Sequence, residues 1–156
     1  MADTLLLTKA ASLESRIDYR FRDKQLLYDA IVRPGYANEQ EQLIKVHSQE
    51  ALANLGDAAM DLVATERLIL NGLDAVGSIT QSRICLVNRK RLTQLAAEFG
   101  LADHLLMNLG EESVLKDSAI LGESLEAVAG ALYLDGGVPA VRRFLDRIGF
   151  FQIKAD

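Results

Sequence analysis

Apolar residues return every three or four positions along this chain, and nowhere do they alternate for the length of a strand. Leu13, Ile17 and Phe21 keep helical spacing, and Leu26, Leu27, Ala30 and Ile31 continue it as a second helix. Arg33-Pro34-Gly35 ends that pair, because proline and glycine both punctuate. The polar residues 38–41 read as a loop. A long helix is predicted over about 49–70, with Leu52, Leu55, Ala59, Leu62, Val63 and Leu70 as its apolar stripe and Asn71-Gly72 as its stop. Ser78 is placed to cap a short helix through residue 87. Residues 89–99 form the next helix, closed by Gly100, and 110–117 read as a polar connection. A helix over about 118–134 is rich in Ala127, Ala129, Gly130 and Ala131, small residues that admit a close neighbour. Asp135-Gly136-Gly137 reads as a turn, after which Pro139 opens a last helix carrying Val141, Phe144, Leu145 and Ile148. The expectation is a single all-α domain spanning 1–156.

At 156 residues and 49% hydrophobic, the chain can bury a substantial core. Its 22 acidic against 17 basic residues leave a formal charge of −5, a poor balance for general nucleic-acid binding. That leaves room for a local basic patch, or for an acidic site that meets phosphate through a metal. One cysteine, Cys85, excludes an internal disulfide framework, and its neighbours Ile84, Leu86 and Val87 predict a packed thiol. Two histidines, His47 and His104, do not make a histidine-rich metal site. No targeting segment is visible, and no apolar run approaches the roughly 18–20 residues of a membrane helix, so a cytoplasmic protein with no membrane contact is expected.

The acidic positions are the chemically suggestive ones. Glu50 and Asp57 lie seven residues apart on the long helix and return to nearly one face. Glu123 and Glu126 lie three apart on another apolar helix. If the two helices pack together, these carboxylates converge and repel one another unless a cation joins them. Oxygen ligands alone favour a hard dication, Mg²⁺ or Mn²⁺. The same spacing also serves an ordinary solvated helix face. Gly56, beside Asp57, costs a helix roughly 1 kcal/mol against alanine, which points to close packing or to close approach of a ligand.

Several blocks together carry a family resemblance. Leu55-Gly56-Asp57-Ala58-Ala59-Met60-Asp61-Leu62 resembles the signature helix of the ribonuclease III family. Tyr19-Arg20-Phe21-Arg22-Asp23, Arg33-Pro34-Gly35-Tyr36-Ala37-Asn38-Glu39, Leu86-Val87-Asn88-Arg89 and Leu95-Ala96-Ala97-Glu98-Phe99-Gly100-Leu101 fall in family order around it. Ile120-Leu121-Gly122-Glu123-Ser124-Leu125-Glu126-Ala127 and Ala131-Leu132-Tyr133-Leu134-Asp135-Gly136-Gly137 resemble the family's second acidic helix. The match spans about 13–148.

The resemblance implies an all-α homodimer that cleaves double-stranded RNA with Mg²⁺ or Mn²⁺. In that mechanism the metal activates water for in-line attack and stabilises the leaving 3′ oxygen, and each subunit cuts one strand to leave short 3′ overhangs. It further implies metal ligation by Asp57, Glu123 and Glu126, with Glu123 standing where the family has Asp, and a more peripheral place for Glu50. Four further positions depart from the family. Ala53 replaces a ligand Glu and weakens the metal site, Ala51 replaces an Arg, and Asn54 replaces a Phe of the dimer interface. Val76 stands where a further Glu is expected.

Arg83, Arg89, Lys90 and Arg91 form one candidate RNA-binding cluster, and Arg142, Arg143 and Arg147 a weaker one. The chain ends at Asp156, before the RNA-binding domain that most family members add. Three readings follow: a homodimeric nuclease with an incomplete metal site, an inactive module that binds RNA or protein, or a heterodimer with a complete paralogue. A di-iron carboxylate bundle is argued against, because no Glu-x-x-His pair occurs.

Overall fold

The structure is a computed structural model and describes residues 2–40 and 46–153. Its helices are α1 (Ala2–Ile17), α2 (Lys24–Ile31), α3 (Pro34–Glu39), α4 (Gln49–Leu70), α5 (Val76–Leu86), α6 (Arg89–Phe99), α7 (Leu109–Ser113) and α8 (Ile120–Arg147). Short 3₁₀ turns occupy Leu101–His104 and Leu115–Asp117. The one β-type pairing among the described residues is an isolated parallel bridge between Val32 and Leu106. An all-α domain is therefore what forms.

Local chemistry sets the helix ends. Asp23, Ser48, Asn88 and Asn108 each accept a hydrogen bond from a backbone N–H of the turn they open, as N-caps do. Pro34 starts α3 instead of ending α2, because a proline without an N–H fits the first helical position. The expected loop is thus helical through Glu39, and Glu41 lies outside the described residues. Phe21 is buried but not helical: α1 stops at Ile17, and Asp18 takes a φ of 53°. Helix α5 starts at Val76 with Ala75 as its cap, so Ser78 lies inside it. Cys85 is exposed, against the packed thiol expected, since α5 buries only Leu86.

The α4–α8 pair organises the rest. Leu52, Ala59 and Val63 of the expected α4 stripe are buried, but the buried face is rotated toward smaller residues and also takes in Gln49, Ala53, Gly56, Met60 and Ala64. A Cβ on Gly56 would fall on the backbone carbonyl of Glu126, and one on Gly130 would fall on the carbonyl of Leu52. The two helices meet backbone to backbone, which only glycine permits at these points. That rotation leaves Leu62 51% exposed and Leu70 74% exposed. Around this contact pack Leu13, Leu27, Ile31, Leu125, Val141 and Phe150, all fully buried.

Helix α8 is broken once. Gly137 has φ 69° and ψ −164°, outside helical space, and Pro139 follows it. Asp135, just before the break, accepts from the Tyr19 hydroxyl at 2.7 Å and from the backbone N–H groups of Arg22 (3.0 Å) and Asp23 (2.9 Å). These bonds clamp the α1–α2 corner to α8. They hold the Asp135 carboxyl below its ordinary range despite partial burial, and burial with the Asp135 contact pushes the Tyr19 phenol up to about 12.

The close approach makes a stability prediction. Gly56→Ala or Gly130→Ala should destabilise the fold by about 3 kcal/mol, as overpacking against backbone does. Gly77→Ala, where a Cβ meets nothing within 4 Å, should gain up to about 1 kcal/mol of helix propensity. Urea midpoints of the three variants decide it, and an unchanged Gly56→Ala would remove the glycine contact from this account.

Candidate functional site

Packing through Gly56 places Asp57 of α4 beside Glu126 of α8. Both line an open cleft of about 310 Å³, together with Ala53, Asn54, Val87, Asn88, Arg89 and Leu92. The α5–α6 corner forms its second wall. Glu126 is the most perturbed acid here. Burial raises its carboxyl to about 7, helped by the charges of Asp57 and Glu123 and opposed by Arg89. Asp61, one turn beyond Asp57, is also raised, by burial and by Asp57, against the opposing charge of Arg83. Two helices thus hold acids close together with little to offset them, a situation that a bound cation relieves.

The sequence-predicted acids do not all meet. Asp57 and Glu126 share the cleft. Glu123 does not line it and is bonded to Arg33 at 3.3 Å. Glu50 is exposed in a separate shallow cleft with Pro34, Asn38 and His47. Seven residues of helix put it about 10 Å along the axis from Asp57. Ala53 occupies the cleft wall, where a longer acidic side chain would enter it. Among the described residues no three His, Cys, Asp or Glu side chains stand together as a ready metal cage. Asp57 and Glu126 are oxygen donors of the kind a hard dication takes, and two such donors suit an ion that keeps most of its water.

The basic cluster divides. Arg89 lines the carboxylate cleft, and Lys90 faces a different one beside Cys85 and Gln152. Arg91, a predicted RNA contact, is instead structural. Its guanidinium donates to the carbonyls of Leu86, Phe150 and Gln152 and lies over the Phe150 ring. Arg83 reaches Thr65 at 3.5 Å and Asp61 at 3.8 Å. The weaker cluster has partners within the protein as well: Arg142 pairs with Glu66 and Arg147 donates to the Arg16 carbonyl, while the exposed Arg143 lies 6.0 Å from the Tyr19 ring. Sequence reasoning passed over Asp61 and Arg33. The i,i+4 spacing of Asp57 and Asp61 was visible, whereas nothing local marks Arg33.

The sequence model of the Ribonuclease-III-like family matches residues 23–150. This chain belongs to that family. It is 36% identical over 133 residues to a Ribonuclease 3 of Pseudothermotoga lettingae, covering 82% of this chain and 56% of the relative. It is 37% identical over 139 residues to a Ribonuclease 3 of Bdellovibrio bacteriovorus, covering 86% of this chain and 58% of the relative. The chain thus spans somewhat over half the length of these relatives. The crystal structure of the ribonuclease III nuclease domain of Campylobacter jejuni superposes with a TM-score of 0.75 at 34% identity, covering 92% of this chain and 96% of that one. A second structure of that domain, TM-score 0.74 and 35% identity, covers 88% of this chain and 94% of its own, and is described as flexible in a region involved in dimer formation. The all-α ribonuclease III nuclease fold is therefore established for this chain. No helix among the described residues is long and apolar enough to cross a membrane.

The raised Glu126 carboxyl sets a pH dependence. Its pKa is 4.5 in the ordinary chain and about 7 when folded, so folding takes up a proton between those values. Stability then falls as pH rises from about 4.5 to about 7, and the full penalty persists above. Glu126→Gln should raise the Tm at pH 8 and leave it nearly unchanged at pH 4, measured without added metal. Equal shifts at both pH values would show that Glu126 is not strained by its charge.

Proposed function

We propose that this chain is the nuclease domain of a metal-dependent endonuclease that cuts double-stranded RNA in RNA processing, acting as a homodimer in the cytoplasm. The observation that carries the reading is the convergence of Asp57 and Glu126 in a cleft, on the fold of ribonuclease III nuclease domains. Asp57 and Glu126 would hold Mg²⁺ or Mn²⁺, which when bound supplies an activated water and charge stabilisation at the phosphodiester. Arg89 stands in the same cleft, and its charge suits a phosphate drawn in beside the acids. Glu123 belongs to the set only if it leaves Arg33, and Glu50 would contribute from outside the cleft.

Dimerisation has support in the surface. Leu62 and Ile69 of α4, with Val76 and Ile84 of α5, leave large apolar side chains in water. Apolar surface of this kind is what a partner covers. Asn54, also exposed, would need a hydrogen-bond partner at such an interface. Light scattering should give twice the 17.1 kDa chain mass, and a monomer at high concentration would refute the homodimer.

Ala53 favours a second reading, a non-catalytic module that binds structured RNA or protein. Cleavage of a perfect RNA duplex with Mn²⁺ separates the two. The expected result is slow cutting by the wild type, none by Asp57→Ala, and at least about tenfold faster cutting by Ala53→Glu. An intact duplex with the wild type and with Ala53→Glu, at enzyme excess, supports the module instead.

A further inference from the structure

Arg33 sits where three helices meet, and the proposed chemistry makes no use of it. Its backbone is pinned, because its N–H donates to the Leu106 carbonyl at 2.9 Å. Its side chain is only 12% exposed. From there Nε donates to Glu111 Oε2 at 3.2 Å, while Nη1 donates to Gln49 Oε1 at 2.8 Å and to Glu123 Oε2 at 3.3 Å. Gln49 is 2% exposed and is itself held, its Nε2 donating to the Ala30 carbonyl at 2.8 Å. The guanidinium is therefore anchored from within the core. Glu123 is the loose member of the group, with a side chain 46% exposed.

Glu123 lies one turn from Glu126 on α8, near enough for its charge to be felt there. Even so, the cleft wall contains Asp57 and Glu126 without Glu123, and no third acid joins them among the described residues. The cation that Glu123 touches is Arg33.

We infer that Arg33 is a positioning residue that holds Glu123 aside, a built-in rival to a divalent cation that sets how many carboxylates the cleft offers. A guanidinium and a metal ion compete for the same carboxylate lone pairs. The guanidinium is always present, whereas the metal must be recruited from solution. Gln49 and Glu111 prevent Arg33 from following Glu123 toward the cleft, so the carboxylate has one partner or the other. The inference rests on the reading of the cleft as a metal site and adds what regulates it: release of Glu123 converts a two-acid site into a three-acid one.

Mn²⁺ binding to the whole chain tests this without any cleavage, with free Mn²⁺ followed by electron paramagnetic resonance. Arg33→Gln should lower the Tm, because Glu111 and Gln49 lose their partner, yet bind Mn²⁺ about tenfold more tightly. A merely structural role would weaken folding and binding together. The gain should vanish when Glu123→Gln is added to Arg33→Gln. If Arg33→Gln does not fold, Glu123→Asp serves in its place. It is one methylene shorter, loses Arg33, leaves the Arg33–Gln49–Glu111 bonds intact, and should also tighten Mn²⁺ binding. Unchanged or weaker binding in the variant that folds, or a gain that survives Glu123→Gln, overturns the inference. Asp57→Asn separates the two levels. If it abolishes Mn²⁺ binding while Arg33→Gln gives no gain, only the role of Arg33 falls. If it leaves binding unchanged, the metal reading of the cleft falls and takes this inference with it.

Discussion

The contact between Gly56 and Gly130 is the constraint from which the molecule is built. Two long helices that meet at their backbones cannot slide or rotate without a carbonyl oxygen striking a chain atom. Their side chains must then be small along the seam, and the remaining helices fill the space around them. The same closeness delivers Asp57 and Glu126 to one cleft. It also explains the elevated Glu126 carboxyl, since helices that pack through glycine bring like charges together and shed the water that would separate them. Fold stability and site electrostatics are thus opposed at one crossing.

Much of this was legible in the sequence. Helix α4 runs over the expected 49–70 and stops at Asn71, and Gly56 signals the close approach found there. Helix spacing predicts that Glu50, Asp57, Glu123 and Glu126 converge if the two helices pack, and of these Asp57 and Glu126 line one cleft. What was not legible depended on tertiary context. The apolar stripe of α4 was read from side-chain size, but the seam selects for smallness, so Leu62 and Leu70 point to water. Pro34 has two local meanings, helix end and helix start, and the helix that follows it shows that the second applies. Arg91 looked like a phosphate ligand because its ties to the carbonyls of Phe150 and Gln152, 59 and 61 residues away, are invisible in a linear pattern. The tie of Glu123 to Arg33 was hidden in the same way, since it spans 90 residues.

The basic residues show how an acidic chain spends its cations. Arg16, Arg33, Arg67, Arg91, Arg142 and Arg147 all donate to acceptors within the protein. Several also lie over aromatic rings, as Arg67 does on Phe151 at 4.0 Å. The positive charge left beside the acidic cleft is concentrated in Arg89. Any anion drawn there meets a narrow, local attraction within a chain of net charge −5, so its binding weakens readily with salt.

The clamp at Asp135 has a kinetic meaning as well. Tyr19 and Asp135 are 116 residues apart, and the bond from Arg147 to the Arg16 carbonyl spans 131. A helical protein is expected to fold fast because its contacts are local, yet here the two ends of the chain must find each other before the α1–α2 corner is secured. The loop entropy of that closure is met only after α8 exists to receive it. The clamp is thus the non-local part of an otherwise local fold, and its closure carries a loop entropy that the helices themselves do not.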